Sequence, residues 1–132
     1  MGSKSDFFEN KVLEIARGNT YTAPATLYSA LFTTAPSDST AGTEVTNASS
    51  GYTRVATTFC TAGATTPGQI VNTGAVTFIT AAAAYTIIGW ALMDTSTVAA
   101  GNILYYTTVT TVAYAIADQA VIAISGITIT ED

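Results

Sequence analysis

The order of apolar and polar positions divides the chain into one helical stretch and a series of strand-like ones. In "SDFFENKVLEIAR", residues 5 to 17, Phe8, Val12 and Ile15 recur at helical spacing and form one apolar stripe. Ser5 is placed to cap this helix by accepting from a free backbone N–H. Asp6 and Glu9 in the first turn and Arg17 in the last match the helix dipole, and Gly18 is a natural stop. After Gly18 the period shortens. "TLYSALFTT" (26–34), "GYTRVATTF" (51–59), "AVTFIT" (75–80), "TIIGWALMD" (86–94), "NILYYTTVTT" (102–111) and "AVIAISGITIT" (120–130) read as strands.

Two of these strands are apolar on both alternating faces. One is Leu27 to Thr34; the other sets Ile88, Trp90 and Leu92 against Ile87, Ala91 and Met93. In the last strand Ile122 and Ile124 share one parity and Ile127 and Ile129 the other, which predicts a β-bulge at Ser125–Gly126. Loops are marked by "APSDSTAG", "TAGATTPGQ", "DTSTVAAG" and "ADQ". The fold class expected is mainly β: a single antiparallel β-sandwich or barrel-like roll with one short N-terminal α-helix. Residues 1–18 form the helical segment and 19–132 the β-domain, as one compact domain. A helix this short needs docking to persist. Its Phe7–Phe8 end is expected either to seal the β-domain or to dock on a neighbouring subunit.

Composition strengthens the β reading. Thr supplies 26 of 132 residues, and branching at Cβ suits a pleated surface. Charged residues are 10% of the chain, with net charge −5. The four basic residues are Lys4, Lys11, Arg17 and Arg54. So few cations argue against nucleic acid as a partner and against a polybasic membrane patch. The uncharged run 76–93, "VTFITAAAAYTIIGWALM", is long enough to span a bilayer. Its Thr residues, Gly89 and alternating ends favour two core strands joined through "AAAA", so no membrane partner is expected. "MGSKSDFFENK" carries no apolar signal core, and Asp6 breaks the myristoylation pattern.

The chemistry of catalysis is sparse. There is no His, one Cys (Cys60), no P-loop, no dinucleotide fingerprint and no nucleophile elbow. Asp38, Glu44, Asp94 and Asp118 fall in or beside expected loops, where a carboxylate pair is conceivable, but solvated turn residues are the simpler reading. No short loop gathers the oxygens calcium needs. No enzyme activity, cofactor or metal is expected. Asn47-Ala48-Ser49 fits the glycosylation pattern, which is frequent by chance. Tyr28, Tyr52, Tyr85, Trp90, Tyr105 and Tyr106 allow a sugar-binding platform if they line one exposed face, and core or interface anchors if they do not.

The front half carries a recognisable series: Glu9-Asn10-Lys11 in the helix, Thr20 to Pro24 before a strand, Leu31-Phe32-Thr33, Pro36-Ser37-Asp38, Thr43-Glu44-Val45 and Gly51-Tyr52-Thr53-Arg54. It resembles a family of small phage virion proteins, closely over residues 7 to 59. The likeness is looser through "IIGWALMD", "GNILYYTTV" and "SGITIT". The Ala-rich "TAAAAYT" and Cys60 depart from the family pattern. The resemblance implies a non-enzymatic structural protein of a bacteriophage particle, located in the virion. Within that class the expectation is a capsid decoration or cement protein acting as a homotrimer on the major capsid protein. The alternative is a tail or tail-fibre-associated protein contacting tail proteins. A carbohydrate-binding module is the reading from another class. Phe7, Phe8, Lys11, Val12 and Arg17 are the expected attachment residues, and Glu44 with Arg54 the expected structural ion pair. In a lattice, neighbours would cover strands apolar on both faces, and the polar loop from 35 to 51 would project outward or reach a neighbour.

Overall fold

The computed structural model describes residues 3–46 and 50–131. Among the described residues these elements follow in order: β1 Ser3–Lys4, α1 Asp6–Ala16, β2 Leu27–Thr34, β3 Thr43–Glu44, β4 Val55–Thr57, β5 Gln69–Val71, β6 Val76–Thr77, β7 Tyr85–Met93, β8 Ile103–Tyr114, β9 Val121–Ile122 and β10 Thr128–Thr130. The main sheet runs β1-β8-β7-β2-β3, with β4 also pairing with β2; β10-β5 and β6-β9 are separate two-stranded ladders. All these pairings are antiparallel. The fold is mainly β and sandwich-like, as its alternating patterns predict. Among the described residues no helix is long and apolar enough to cross a membrane.

The larger core fills the space between the main sheet and the two ladders. Leu31, Trp90, Leu92 and Leu104 meet Val76, Phe78, Ile127 and Ile129 there, together with Val45 and Tyr52 from the connections. A smaller cluster, Ala30, Phe32, Ala91, Met93 and Ile103, lies on the opposite face of the sheet. This is why β2 and β7 are apolar on both sides. The polar loop after β2 is exposed over Ser37–Ala41 but turns back at its root. It folds back so that Pro36 is buried. A Cβ placed on Gly89 would lie 2.9 Å from Pro36 Cδ and 3.0 Å from Ala35 Cα. The chain itself covers much of the surface that a neighbour was expected to cover, and Gly89 is the close approach that permits it.

Several local readings change. The face assignment along β7 fails at Ile87. A register shift between Ile87 and Gly89 moves Ile87 onto the face of Trp90 and Leu92, into the main core. Only Val55–Thr57 of the 51–59 stretch is strand. Gly51 takes φ +70°, and the chain that follows buries Tyr52 and Arg54. At the end of the loop read over 61–69, an unexpected strand, Gln69–Val71, pairs with β10.

The expected bulge at Ser125–Gly126 is a full corner instead. β9 and β10 pair with different partners, and Ser125 sits at φ +59° between them. Asn72, fully buried, pins the corner. Its Nδ2 donates to Gly74 O at 2.8 Å and Ala123 O at 2.9 Å, and its Oδ1 accepts from Ile127 N at 2.8 Å. Backbone bonds from Asn72 N to Ile127 O and from Ser125 N to Asn72 O complete the bracket.

Candidate interaction surfaces

Helix α1 is capped as its sequence dictates: Ser5 Oγ accepts from Phe8 N at 3.3 Å. Ser5 is also buried, and it bonds to Ile103 O through its hydroxyl and to Leu104 O through its N–H. The helix is thereby fixed to the start of β8. Phe8 packs edge-on to Tyr105, with centroids 5.3 Å apart, and to Tyr21 at 6.1 Å. Phe7 also packs against the core, and Lys11 Nζ lies 5.3 Å from its ring centroid, a cation–π contact. The stripe expected at Phe8, Val12 and Ile15 is not buried as a unit. The helix touches the body through its first turn, while Val12, Leu13 and Ile15 are exposed by 41%, 61% and 51%. Arg17 sits at the C-cap, one residue past the last turn, and pairs with Glu14 at 2.7 Å on the surface. Of the five residues expected to attach, two anchor the helix to its own domain, one stacks on an anchor, and Val12 and Arg17 face outward.

Beside the helix, Lys4 pairs with Glu131, and Tyr105 Oη donates to Glu131 Oε1 at 2.6 Å. Burial alone would raise the Glu131 carboxyl; the hydrogen bonds from Lys4 and Tyr105 outweigh it and hold it below the usual carboxylate value. Tyr105 is raised, first by burial and then by its bond to Glu131.

Glu44 and Arg54 meet in a buried two-pronged ion pair. Arg54 Nε donates to Glu44 Oε1 and Nη2 to Oε2, both at 2.8 Å. The Arg54 and Glu44 side chains are only 1% and 4% exposed, so every remaining lone pair and proton needs a partner. Arg54 Nη1 donates to Thr95 O at 2.8 Å and Ala100 O at 2.9 Å. Glu44 Oε2 accepts from Ala99 N at 2.7 Å, and Oε1 accepts from Tyr52 Oη at 3.1 Å. Tyr52 Oη in turn accepts from Leu31 N at 2.9 Å. Burial, above all, pushes the Tyr52 hydroxyl pKa upward. The pair thus ties the loop after β7 to β3 and β2. Asp94 steadies that loop by accepting from Asn102 N at 2.8 Å and Asn102 Nδ2 at 2.7 Å. An open cleft of about 510 Å³ lies alongside, between residues 37–43 and 99–102.

The aromatic row needed for sugar stacking is absent from the described surface. Tyr52, Trp90 and Tyr105 are buried; Tyr28 and Tyr106 pack on the smaller cluster; Tyr85 packs against Tyr114 at 5.3 Å. Asp6, Glu9 and Asp38 bring carboxylate oxygens within 4.8 Å of one another, all exposed. Three surface acids fall short of the six to eight oxygens calcium takes. Cys60 is half-buried and accepts a weak hydrogen bond from Val71 N at 3.4 Å. The Asn47-Ala48-Ser49 motif lies outside the described residues. The sequence reading missed Asn72 and the exposed Leu13; an isolated Asn in a loop gives no periodic signal.

A search among curated proteins finds no match. The family described as "Podophage GP4 fiber I protein gp80" matches residues 3–130, almost the whole described chain, in keeping with a compact β-domain that spends its buried charge on structure. The chain belongs to that family and is a structural protein of a phage virion.

Proposed function

We propose that this protein is a tail or tail-fibre-associated component of a podophage particle, working as a homo-oligomer and without enzymatic activity. The observation that carries the reading is the fibre-family match across residues 3–130. It favours the tail alternative over the capsid decoration expected within the virion resemblance; the match offers nothing toward a cement role on the major capsid protein. Within this reading, the outward part of α1 is the attachment element. Val12, Leu13 and Ile15 offer apolar anchors and Arg17 a charge on an element held rigidly by Ser5 and Phe8.

Electron microscopy of particles carrying a labelled copy tests the location. Label on fibres or tail supports the reading; label confined to the shell overturns it in favour of decoration. Leu13→Asp tests the helix, because Leu13 is exposed and its loss leaves the cap and Phe8 intact. A folded variant with at least tenfold lower incorporation supports attachment, and full incorporation removes it. Truncation at Asn19 is a poorer test, because it also deletes β1 from the main sheet.

A further inference from the structure

We infer that the apolar cleft between β8 and the β9–β10 corner is a binding site for a compact, uncharged, apolar molecule that carries one acceptor oxygen, and that the indole N–H of Trp90 binds that oxygen. The inference stands apart from the reading above and holds wherever on the particle the chain sits.

The first observation is a cleft that the chain's own geometry holds open. It measures about 220 Å³ and is lined by residues of β2, β7, β8, β9 and β10, none of them charged. One wall is the β7–β8 ladder, and there the register breaks. Ile87 pairs with Val112 and Gly89 with Thr108, so Val109, Thr110 and Thr111 of β8 lie opposite Ile88 alone. A bulge of this kind bends its strand and re-aims side chains. Val109 and Thr110, neighbours that a regular strand sends to opposite faces, both line the cleft. The facing wall is the β9–β10 corner, with Ile122 and Ile127. Asn72 fixes that corner through Ala123 O and Ile127 N. The two walls are therefore set independently of each other.

The second observation is a buried donor on the lining with nothing to bind. Trp90 is 5% exposed, and its Nε1–H has no acceptor. Among the described residues no other buried side-chain polar atom is left without a partner. Thr107 is the cross-strand partner of Trp90, but its hydroxyl donates to Thr108 O at 3.2 Å. An unmet buried donor is uncommon and destabilising, and an acceptor brought by a ligand relieves it. Water suits the place poorly, because an ordered water needs several polar partners.

The third observation selects the occupant. An apolar cavity of about 150 Å³ takes up benzene, so this cleft admits a ring-sized body. Apolar walls on several sides with a single orienting polar group are the form of a small-molecule site. An ion would lose its hydration with no opposite charge to replace it. A sugar would bury hydroxyls that one donor leaves unmatched. Val112 and Val121 on the lining are 39% and 55% exposed, which leaves the cleft a way in from solvent.

Titration of the full isotope-labelled chain with cyclohexanone, followed by NMR, is the test. Trp90 is the single tryptophan, so one indole N–H signal reports the cleft. The expected result is a saturable downfield shift of that proton, with half-saturation at about 1–10 mM, as suits so small a ligand. Methylenecyclohexane, the same shape without the oxygen, should bind at least fivefold more weakly. Thr110→Phe fills the cleft from an exposed position. It should stay folded and weaken cyclohexanone binding at least tenfold. If it misfolds, Val121→Phe from the facing wall decides. No saturable shift, equal affinity for the hydrocarbon, a bound water that cyclohexanone fails to displace from the indole, or a folded variant that binds as tightly as wild type each overturns the inference.

Discussion

The two halves of β8 live in different surroundings. Ile103, Leu104 and Tyr105 are buried, while most of the stretch from Thr108 to Ala113 is exposed. Around the first half, polar groups are matched. Ser5 bonds to Ile103 O and Leu104 O, Lys4 and Tyr105 both bond to Glu131, and the Glu44–Arg54 pair fixes the nearby loop through Thr95, Ala99 and Ala100. Around the second half the strand edge, the cleft and the Trp90 donor have no protein partner among the described residues. A single strand therefore joins an end that is complete in itself to one that is not. Stability should reside chiefly in the first.

The sharpest way to break this contrast is Arg54→Ala. It leaves Glu44 buried without its cation and should cost about 3–5 kcal/mol, read as a lower midpoint in urea unfolding. Asn72→Ala comes next. It strands Gly74 O, Ala123 O and Ile127 N at the β9–β10 corner, for a loss of about 2–3 kcal/mol in the same assay. Gly89→Ala should cost about 1–3 kcal/mol by overpacking, because Pro36 and Ala35 are already in contact with that position. Hydrogen exchange should then show residues 35–42 opening first.

The smallest effect is in acid. Glu131 has a lowered folded-state pKa, so its stabilisation is present above its ordinary value of 4.5 and is lost as pH falls through the folded value. Solvent screening at this part-exposed pair keeps the change below about 1 kcal/mol. Glu131→Gln should flatten that part of the stability–pH curve.

The long patterns were legible in the sequence. β2, β7 and most of β8 are runs where alternation persists long enough to be read, and Ser5 announces the helix start. Glu44 and Arg54 come from the same reading: a lone late cation on a strand-like stretch invites a nearby acid, and the structure places them 2.8 Å apart. The short elements were not legible. Gln69–Val71 is three residues inside a Thr-, Gly- and Pro-rich stretch, too brief for any period. The corner at Ser125 depends on Asn72, more than fifty residues earlier. The displacement of Ile87 arises from a register shift against β8, which no local pattern encodes. The outward turn of Val12 and Ile15 is likewise tertiary: only Phe7 and Phe8 reach the β-domain, so half of an amphipathic stripe has nothing to cover it. The cleft forms between segments distant in sequence and left no trace in either.

The contact between Lys4 and Glu131 has a mechanical consequence. Positions 4 and 131 sit side by side, and β1 and β10 leave the body at one corner. A load applied between these two points falls first on β1, held by its pairing at Ser3 and Lys4, and not on the long β7–β8 hairpin. Lys4 and Glu131 therefore mark one pole of the molecule, away from the open end of β8.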